Sequence, residues 1–282
     1  MTIKSSIRVP NADKNTPYQL HSLDRAVAVL DLLGESDTPL ALTDVCRMMT
    51  IHKSTAHRSL MVLERCALIE RTHDNRFRLG LKLYELGNRA VEQIDLRARI
   101  RPHFRRLAAK LGETVHLGVL QKASVIYLEK IEPNRRVCMT SKTGSSNPAY
   151  CTSMGKAMLA YLPTEVLEQT IARIRFVTYT PKTICSREDL LKSLEKVRRR
   201  GYAIDDEEIE MGVRCVGAPV FDDNRYPIAA VSISGPSARI RVQNLPSIAE
   251  QVMRCCEDIS ASLRIERRKK SRATSLLLSA KR

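Results

Sequence analysis

The amino-acid sequence predicts an α+β protein whose N-terminal part is a winged helix-turn-helix and whose larger C-terminal part is a mainly antiparallel sheet with helices packed on it. Two observations carry this prediction. Apolar residues recur at three- and four-residue spacing from His21 to Leu111, which is typical of helices that bury one face. Beyond Gly112 the pattern changes to short runs rich in β-branched residues, separated by segments with helix start signals.

Length and composition limit the class of protein. The chain has 282 residues, of which 43% are hydrophobic and 28% charged, which leaves room for about two domains. No stretch approaches the roughly 18 apolar residues of a membrane span, and the N-terminus has no apolar signal core. The eight cysteines form no CxxC pair and no Cys/His cluster at zinc spacing. We therefore expect a cytoplasmic protein with reduced thiols and no metal or cofactor.

The N-terminal segment predicts three helices. Residues 1–20 are polar and without periodicity, so we expect a disordered arm. Ser22 is a candidate N-cap for a first helix that ends near Gly34. Thr43 and Ser54 are candidate N-caps for two further helices, which are separated by a turn of about four residues. A short turn between two helices indicates a helix-turn-helix.

A small basic hairpin follows these helices. Phe77 and Leu79 alternate with Arg76 and Arg78 after a polar His-Asp-Asn turn. Three helices and a hairpin over residues 21–80 predict a winged helix-turn-helix that binds DNA. The alternative is a plain three-helix subdomain whose basic side chains are merely solvated.

The charge distribution supports a polyanionic partner. The net charge is +16, and residues 47–78 hold seven Lys or Arg against three acids. Cations can neutralise phosphates or donate to guanine, and hydroxyls can bond the DNA backbone. The candidate DNA-binding residues on the third helix and the hairpin are Lys53, Ser54, Thr55, His57, Arg58, Arg76 and Arg78.

Residues 81–97 carry an apolar stripe that is too regular for a flexible linker. We expect a linker helix that binds another subunit, which gives a homodimer or homotetramer. Residues 98–265 form the α+β domain, in which Ser186 with Asp189 and Ser247 with Glu250 predict helix starts. Residues 266–282 are a basic tail, most simply a solvated and mobile end.

One loop of the second region is a candidate ligand site. Gly144, Pro148 and Gly155 fix turns, and Ser153 and Met154 immediately precede an apolar helix. Exposed backbone N–H groups at a helix start bind anions readily. An ordinary strand-to-helix connection is the alternative.

A second cluster begins with the acidic run at residues 205–208, which includes Asp205 and is followed by Cys215. Ser232 and Ser234 lie two residues apart and therefore share one face of a strand. Inward polar groups indicate a hydroxylated or carboxylated ligand, although an acidic run is more often a solvated face. An enzyme with Cys215 as nucleophile and His116 as base is the competing interpretation, and nothing in the spacing favours it.

Several segments together resemble a known family. They are SLDRAVAVLDLL, HKSTAHRSLMVLERCALIER, FRLGLKLYELG, GETVHLGVL, YCTSMGKAMLA and AIDDEEIEMGVRCVGAPVFD with AAVSIS. In this order, from about residue 21 to 265, they resemble the IclR family of bacterial transcription regulators. The likeness is greatest to the branch that regulates sugar-acid and pentose catabolism, such as KdgR-like regulators.

The resemblance implies a winged helix-turn-helix, a linker helix used in dimerisation and a GAF-like domain that binds a small organic acid. It implies a DNA-binding regulator, by family habit a repressor, on a pseudo-palindromic operator. By resemblance, the effector's carboxylate lies against the backbone at Ser153 and Met154, where some relatives have a Gly-Ala pair. The other implied effector contacts are Asp205, Cys215, Ser232 and Ser234.

Overall fold

The computed structural model describes residues 20–93, 97–133 and 141–279, with side chains throughout except at 91–93, 97–99 and 264–279. The chain divides into two compact units, Met1–Ile94 and Asp95–Arg282. The predicted N-terminal arm lies outside the described residues, apart from its last residue. Within the described ranges, no helix combines the length and the apolar character needed to cross a bilayer.

The first unit contains the three predicted helices, α1 (His21–Glu35), α2 (Leu42–Met49) and α3 (Lys53–Arg65). Between α2 and α3, Thr50 adopts a left-handed conformation with φ of 55°, which ends α2 and turns the chain into α3. The apolar stripes of the three helices and the hairpin meet in one core. Its most buried members are Val29, Leu32, Val45, Ala56, Leu60 and Ile69.

The predicted N-caps of these helices are wrong. Each helix begins one residue before the predicted cap, so that Ser22, Thr43 and Ser54 lie inside the first turn. For α2, the Asp44 carboxylate accepts the Ala41 N–H at 3.1 Å and so satisfies a donor at the helix start from within the helix. The cap can therefore be an alanine.

The predicted hairpin is confirmed as β1 (Ile69–Arg71) and β2 (Phe77–Leu79), paired antiparallel. Phe77 also forms an isolated bridge with Leu40, with N–O distances of 2.7 and 2.9 Å. The hairpin is followed by α4 (Leu81–Gln93), and α5 (Arg97–Leu111) opens the second unit. Residues 94–96 of the predicted linker lie outside the described residues.

The second unit is built on a six-stranded antiparallel sheet in the order β5-β4-β3-β8-β7-β6. The predicted α+β class is thus confirmed. One of the β-branched runs that predict strands beyond Gly112, RVCMTSK at residues 136–142, falls almost wholly outside the described residues. The strands are β3 (Thr114–Gln121), β4 (Ser124–Ile131), β5 (Ser146–Pro148), β6 (Ala203–Asp206), β7 (Val213–Phe221) and β8 (Pro227–Pro236).

Helices cover the sheet. Residues 214–220 of β7 are all buried, so both faces of this strand are covered. The helices α6 and α9 both contact β7, α8 packs on α6, and α5 packs on α9. The helices not yet bounded are α6 (Ser153–Leu159), α7 (Thr164–Ile171), α8 (Arg187–Arg200) and α9 (Leu245–Ser279).

The two predicted helix starts of this unit differ in outcome. Ser186 caps α8, because its hydroxyl accepts the Asp189 N–H at 3.1 Å. Ser247 does not cap α9, since the helix begins at Leu245 and has Pro246 in its first turn, where a missing N–H costs nothing. Helix α9 continues to Ser279, so most of the tail at 266–282 has a helical backbone that the sequence did not predict.

Candidate functional site

The first candidate site is the N-terminal half of α3, called here the α3 face: Lys53, Ser54, Thr55, His57 and Arg58. Four of these residues are exposed and Thr55 is half-buried. The opposite side of the helix, with Ala56, Leu60 and Leu63, is buried in the core. The α3 face therefore presents two cations and several hydrogen-bonding groups to solvent. Because α3 begins here, its first-turn N–H groups add a partial positive charge.

The hairpin arginines are exposed but already paired. The Arg78 guanidinium contacts the Glu70 carboxylate at 3.0 Å. Arg76 lies 3.2 Å from Asp74 and 3.7 Å from Asp44, and it donates to the Pro39 carbonyl at 3.3 Å. Exposed pairs of this kind are worth at most about 1 kcal/mol, so a phosphate can compete for either arginine.

The second candidate site is a cavity of about 300 Å³ inside the second unit, called here the pocket. All six strands, β3 to β8, line it together with the loop before β5, the start of α6 and the loop after β6. Its lining includes all six residues predicted from the sequence, namely Ser153, Met154, Asp205, Cys215, Ser232 and Ser234. That these residues bind a ligand remains a prediction.

A row of polar side chains crosses the sheet at the pocket. Antiparallel register places Asp205 beside Cys215 and Cys215 beside Ser234. Burial raises the pKa of the Cys215 thiol, the Asp205 charge raises it further and the Ser234 hydroxyl lowers it, so the thiol is close to both neighbours. The Ser234 hydroxyl lies 3.3 Å from His116 Nδ1, and His116 Nε2 lies 2.7 Å from the Ser141 hydroxyl. Four strands and a loop therefore contribute to one continuous network.

His116 supplies this network with a neutral imidazole. Burial, helped by the nearby charge of Lys130, lowers the pKa of His116 to about 3. The Tyr127 ring packs edge-on against it with centroids 5.2 Å apart. The Tyr127 hydroxyl accepts a hydrogen bond from the Asn147 amide at 3.0 Å. This part of the pocket offers polar groups without a fixed charge.

The start of α6 forms another wall of the pocket. The Thr152 hydroxyl accepts the Gly155 N–H at 3.1 Å, and the Thr152 carbonyl accepts the Lys156 N–H at 3.0 Å. The N–H groups of Ser153 and Met154 are first-turn donors with no acceptor in their own helix. Both residues are nonetheless buried. These two donors are the groups predicted to hold a carboxylate.

Glycines allow this helix start to approach the sheet. A Cβ on Gly217 of β7 would lie 2.9 Å from the Ser153 carbonyl carbon and 3.0 Å from the Met154 nitrogen. A Cβ on Gly155 would lie 2.1 Å from the Ala149 carbonyl oxygen. Neither position has room for a larger residue. The sequence singled out Gly155 as a turn residue, but its requirement is close packing.

Three charged residues are called here the acid cluster: Asp205, which lines the pocket, and its neighbours Glu208 and Lys156, which do not. All three are at least 93% buried, and Lys156 forms an ion pair with Glu208. Asp205 Oδ1 accepts the Glu208 N–H at 2.9 Å. Burial raises the pKa of Asp205 to about 7, opposed by the Lys156 charge and reinforced by that of Glu208.

The solvated-face interpretation of the acidic run is therefore wrong for Asp205 and Glu208. The reason is that β6 alternates, so Asp205 is on the buried side while Asp206 is half-buried and contacts Arg214 and Lys182. The enzyme interpretation also fails on geometry. Both His116 nitrogens bond serine hydroxyls, and burial raises the pKa of the Cys215 thiol well above its ordinary value.

The sequence reasoning missed several pocket residues. His116 was considered only as a base for Cys215, whereas Tyr127, Ser141 and Asn147, and Lys156 of the neighbouring acid cluster, were not considered. The alternation of β3 and β4 could have placed His116 and Tyr127 on one sheet face. Lys156 carried a weaker signal, a single cation inside an otherwise apolar helix start.

Comparison with known proteins gives matches to both units. Residues 22–73 match the IclR helix-turn-helix domain, and residues 88–261 match the C-terminal domain of the bacterial transcriptional regulator IclR. The HTH-type transcriptional regulator XynR of Escherichia coli strain K12 is 36% identical over 86% of this chain and 97% of its own length. The HTH-type transcriptional regulator KdgR of the same organism is 33% identical over 90% and 97%.

A solved structure is similar as well. An IclR homolog from Microbacterium hydrocarbonoxydans, complexed with 4-hydroxybenzoate, aligns with a TM-score of 0.73 at 26% identity over 86% of this chain and 98% of that one. The curated relatives are named transcriptional regulators, so the chain is a DNA-binding regulator and not an enzyme. Both domain matches and the identity over most of the chain show that this protein belongs to the IclR family of bacterial transcriptional regulators.

Proposed function

We propose that this protein is a repressor whose binding to a pseudo-palindromic operator is controlled by a small organic acid, and that it acts in the cytoplasm, where that operator lies. One observation carries the proposal: an exposed cationic helix start occupies one unit, and a pocket lined by polar side chains occupies the other. Two separate surfaces are what a regulator needs to read DNA and sense a metabolite independently.

The α3 face is the surface we assign to the major groove. Lys53 and Arg58 are long cations near the start of an exposed helix, the position at which recognition helices reach base edges and phosphates. Ser54, Thr55 and His57 add shorter groups. The hairpin arginines Arg76 and Arg78 would lie along the neighbouring backbone, exchanging their carboxylate partners for phosphates.

We assign the subunit contact of a homodimer or homotetramer to α4. Helix α4 is amphipathic, but some of its apolar side chains remain exposed. The exposed fractions are 76% for Leu81, 70% for Tyr84 and 44% for Leu86. Exposed apolar groups clustered on one helix favour burial against a second copy. Two copies would present two recognition helices to the two halves of a palindrome.

The pocket is the surface we assign to the organic acid. Its volume is at the small end of ligand sites, and its polar lining suits a carboxylate with hydroxyl groups. The Ser153 and Met154 N–H groups would hold the carboxylate, and the row from Asp205 through Cys215 to Ser234, with Ser232 nearby, would read the rest. The homolog with bound 4-hydroxybenzoate supports a small carboxylate, and similarity to KdgR supports a sugar acid.

Control would operate as a population shift between two arrangements of the DNA-binding units. A tenfold change in operator occupancy requires the acid to discriminate between the two states by about 1.4 kcal/mol. One or two hydrogen bonds made in only one state supply that amount.

The test combines two measurements on the purified full-length protein. Operator DNA is first selected from a random duplex library, and its binding is followed by fluorescence anisotropy over a range of salt concentrations. Thermal shifts are then recorded with D-gluconate, D-xylonate, D-galacturonate and 4-hydroxybenzoate, because a ligand bound only by the folded state raises its stability. We expect a site preference at every salt concentration and at least one acid that both stabilises the protein and changes operator affinity. Equal affinity for any duplex, falling with salt alone, would leave only nonspecific binding.

A further inference from the structure

The acid cluster is not neutral if all its members are ionised. Asp205 and Glu208 bring two negative charges, and Lys156 brings one positive charge. Lys156 is already paired with Glu208, whose second carboxylate oxygen, Oε2, is buried with no hydrogen-bond partner among the described residues. The cluster therefore has an excess negative charge at a place shielded from water, which is costly.

The groups that face Asp205 from the surrounding elements do not remove this excess. They are the Cys215 thiol of β7 and, farther along the polar row, the Ser234 hydroxyl of β8 and the neutral His116 of β3. The Tyr127 phenol of β4 and the Cys151 thiol before α6 are also close, and burial raises the pKa of each to about 12. The other charged side chains among the described lining residues are Lys142 and Glu210, which are both exposed and of opposite sign.

An anionic ligand makes the imbalance worse. A carboxylate at the Ser153 and Met154 N–H groups would add a third negative charge near Asp205, which lines the same pocket. Like charges in a buried site do not all ionise, and the usual outcome is that one carboxyl keeps its proton. Asp205 is the candidate, because it lines the pocket, whereas burial raises the pKa of Glu208 against the opposing charge of Lys156, its ion-pair partner.

We propose that the pocket binds its organic acid together with one proton, which Asp205 holds as a carboxylic acid and uses to donate a hydrogen bond to a ligand oxygen. This inference rests on the proposed function, since it assumes an anionic ligand. The proton comes from solvent, the ligand remains a carboxylate, and no covalent bond of the ligand changes. In its protonated form, Asp205 thereby selects for an anionic ligand over a cationic one such as an ammonium compound.

The Lys156–Glu208 pair sets the proton affinity of Asp205 without touching the ligand. The Glu208 charge raises the pKa of Asp205 and the Lys156 charge lowers it, and the Lys156 ammonium group is bonded to Glu208 rather than to Asp205. Removing the Glu208 charge should release Lys156 to Asp205. Glu208 is therefore a positioning residue, and its effect should appear in the pH dependence of binding rather than only in the affinity.

The first test needs no ligand. Infrared spectra of the full-length protein labelled with ¹³C-aspartate are compared with those of Asp205→Asn between about pH 6 and about pH 8.5. We expect a protonated-carboxyl band in the wild-type protein that disappears with a midpoint near pH 7 and is missing from Asp205→Asn. No difference between the two proteins at the acid end of this range would overturn the inference.

The second test measures binding by calorimetry with D-gluconate and 4-hydroxybenzoate as probes, over the same pH range and in buffers of different ionisation enthalpy. Wild-type affinity should fall by about tenfold for each pH unit above the midpoint, with uptake of close to one proton there. Asp205→Asn should bind with affinity nearly independent of pH, because the amide donates permanently.

Two variants separate a charge effect from a structural one. Glu208→Gln should shift the pH dependence to lower pH by about one unit or more, whereas Glu195→Gln, an exposed glutamate on α8, should leave it unchanged. A probe that binds equally at every pH would overturn the inference and leave the proposed function intact. If neither probe binds at any pH, the inference fails together with the proposed ligand class, while operator binding by the α3 face stands.

Discussion

The α3 face and the pocket are built in opposite ways from similar residue types. On α3 the functional side chains are consecutive in sequence, exposed, and rest on a helix whose other side fills the core. In the pocket they come from six strands and the intervening loops, are mostly buried, and depend on one another for hydrogen bonds. Substitutions on α3 should therefore change binding without changing stability, whereas substitutions at the pocket should often change both.

The largest expected effect is on the folding of the second unit, and it follows from a substitution in the wall of the pocket. Gly155→Val should prevent the second unit from folding, because even its Cβ would overlap the Ala149 backbone, which cannot move as a flexible side chain would. The first unit should still unfold in a separate transition. Calorimetry and urea titration measure this.

A matched control uses a glycine of the first unit. Gly87→Ala on α4 should be neutral or stabilising by up to about 1 kcal/mol, since nothing lies near its Cβ and alanine favours a helix. Native-like stability of the second unit in Gly155→Val would contradict the assigned contact.

The second-largest expected effect is on the pH dependence of the free energy of unfolding. The pKa of Asp205 is raised from 3.8 to about 7 by folding, so the folded state binds more protons than the unfolded state in that window. The free energy of unfolding should therefore fall as pH rises from about 4 to about 7, by on the order of 4 kcal/mol in total. His116, whose pKa is lowered from 6.5 to about 3, works in the opposite direction between those two values.

Asp205→Asn isolates the Asp205 contribution. Measured by urea unfolding, its stability relative to the wild-type protein should increase steadily from the acid to the neutral end of the window. A constant difference would mean that Asp205 keeps an ordinary pKa in the folded protein.

The α3 face is formed by residues that are close in sequence, and the pocket by residues from distant strands. This difference determines how much of each region the sequence predicts. The helices and the hairpin of the first unit depend on local apolar periodicity, and the α3 face is a cationic helix start that can be identified without knowing the fold. Ser153, Met154, Ser232 and Ser234 were likewise found from local patterns. His116 was missed as a pocket residue because its partner Ser234 is 118 positions away, and only sheet register brings them together.

Burial was a second limit on the sequence prediction. The acidic run has the composition of a solvated face, and nothing local shows that Asp205 and Glu208 are buried against Lys156, 52 residues from Glu208. The predicted helix caps failed for a similar reason, because a hydroxyl near a helix start does not determine which residue leaves the helical conformation first.

Operator binding gives the third effect. Arg58→Ala should weaken binding to the selected operator by about 1 to 3 kcal/mol, or roughly fivefold to 150-fold, and relax specificity at the contacted base. Arg65→Ala, at the exposed C-terminal end of the same helix, is the matched control and should change affinity little. Fluorescence anisotropy with competitor DNA measures both. Equal losses for the two variants would indicate a general charge effect rather than a recognition surface.

The smallest effect is on the ligand response. Ser234→Ala should leave operator affinity intact while weakening the binding of the stabilising acid by about 1 kcal/mol, or roughly fivefold, because one hydroxyl of the polar row is lost. Ser247→Ala, on the exposed first turn of α9, should behave as the wild-type protein in titrations with the acid. An unchanged response in Ser234→Ala would separate the polar row from ligand sensing.

The central claim is that the α3 face contacts the operator and that the acid in the pocket changes this contact. The most direct test introduces a photo-cross-linking phenylalanine analogue at position 57 of the α3 face. Cross-linking to the selected operator is then recorded with and without the stabilising acid. We expect cross-links to bases within the operator and a change in their yield when the acid fills the pocket. Absence of cross-links from position 57, or a yield that the acid does not alter, would contradict it.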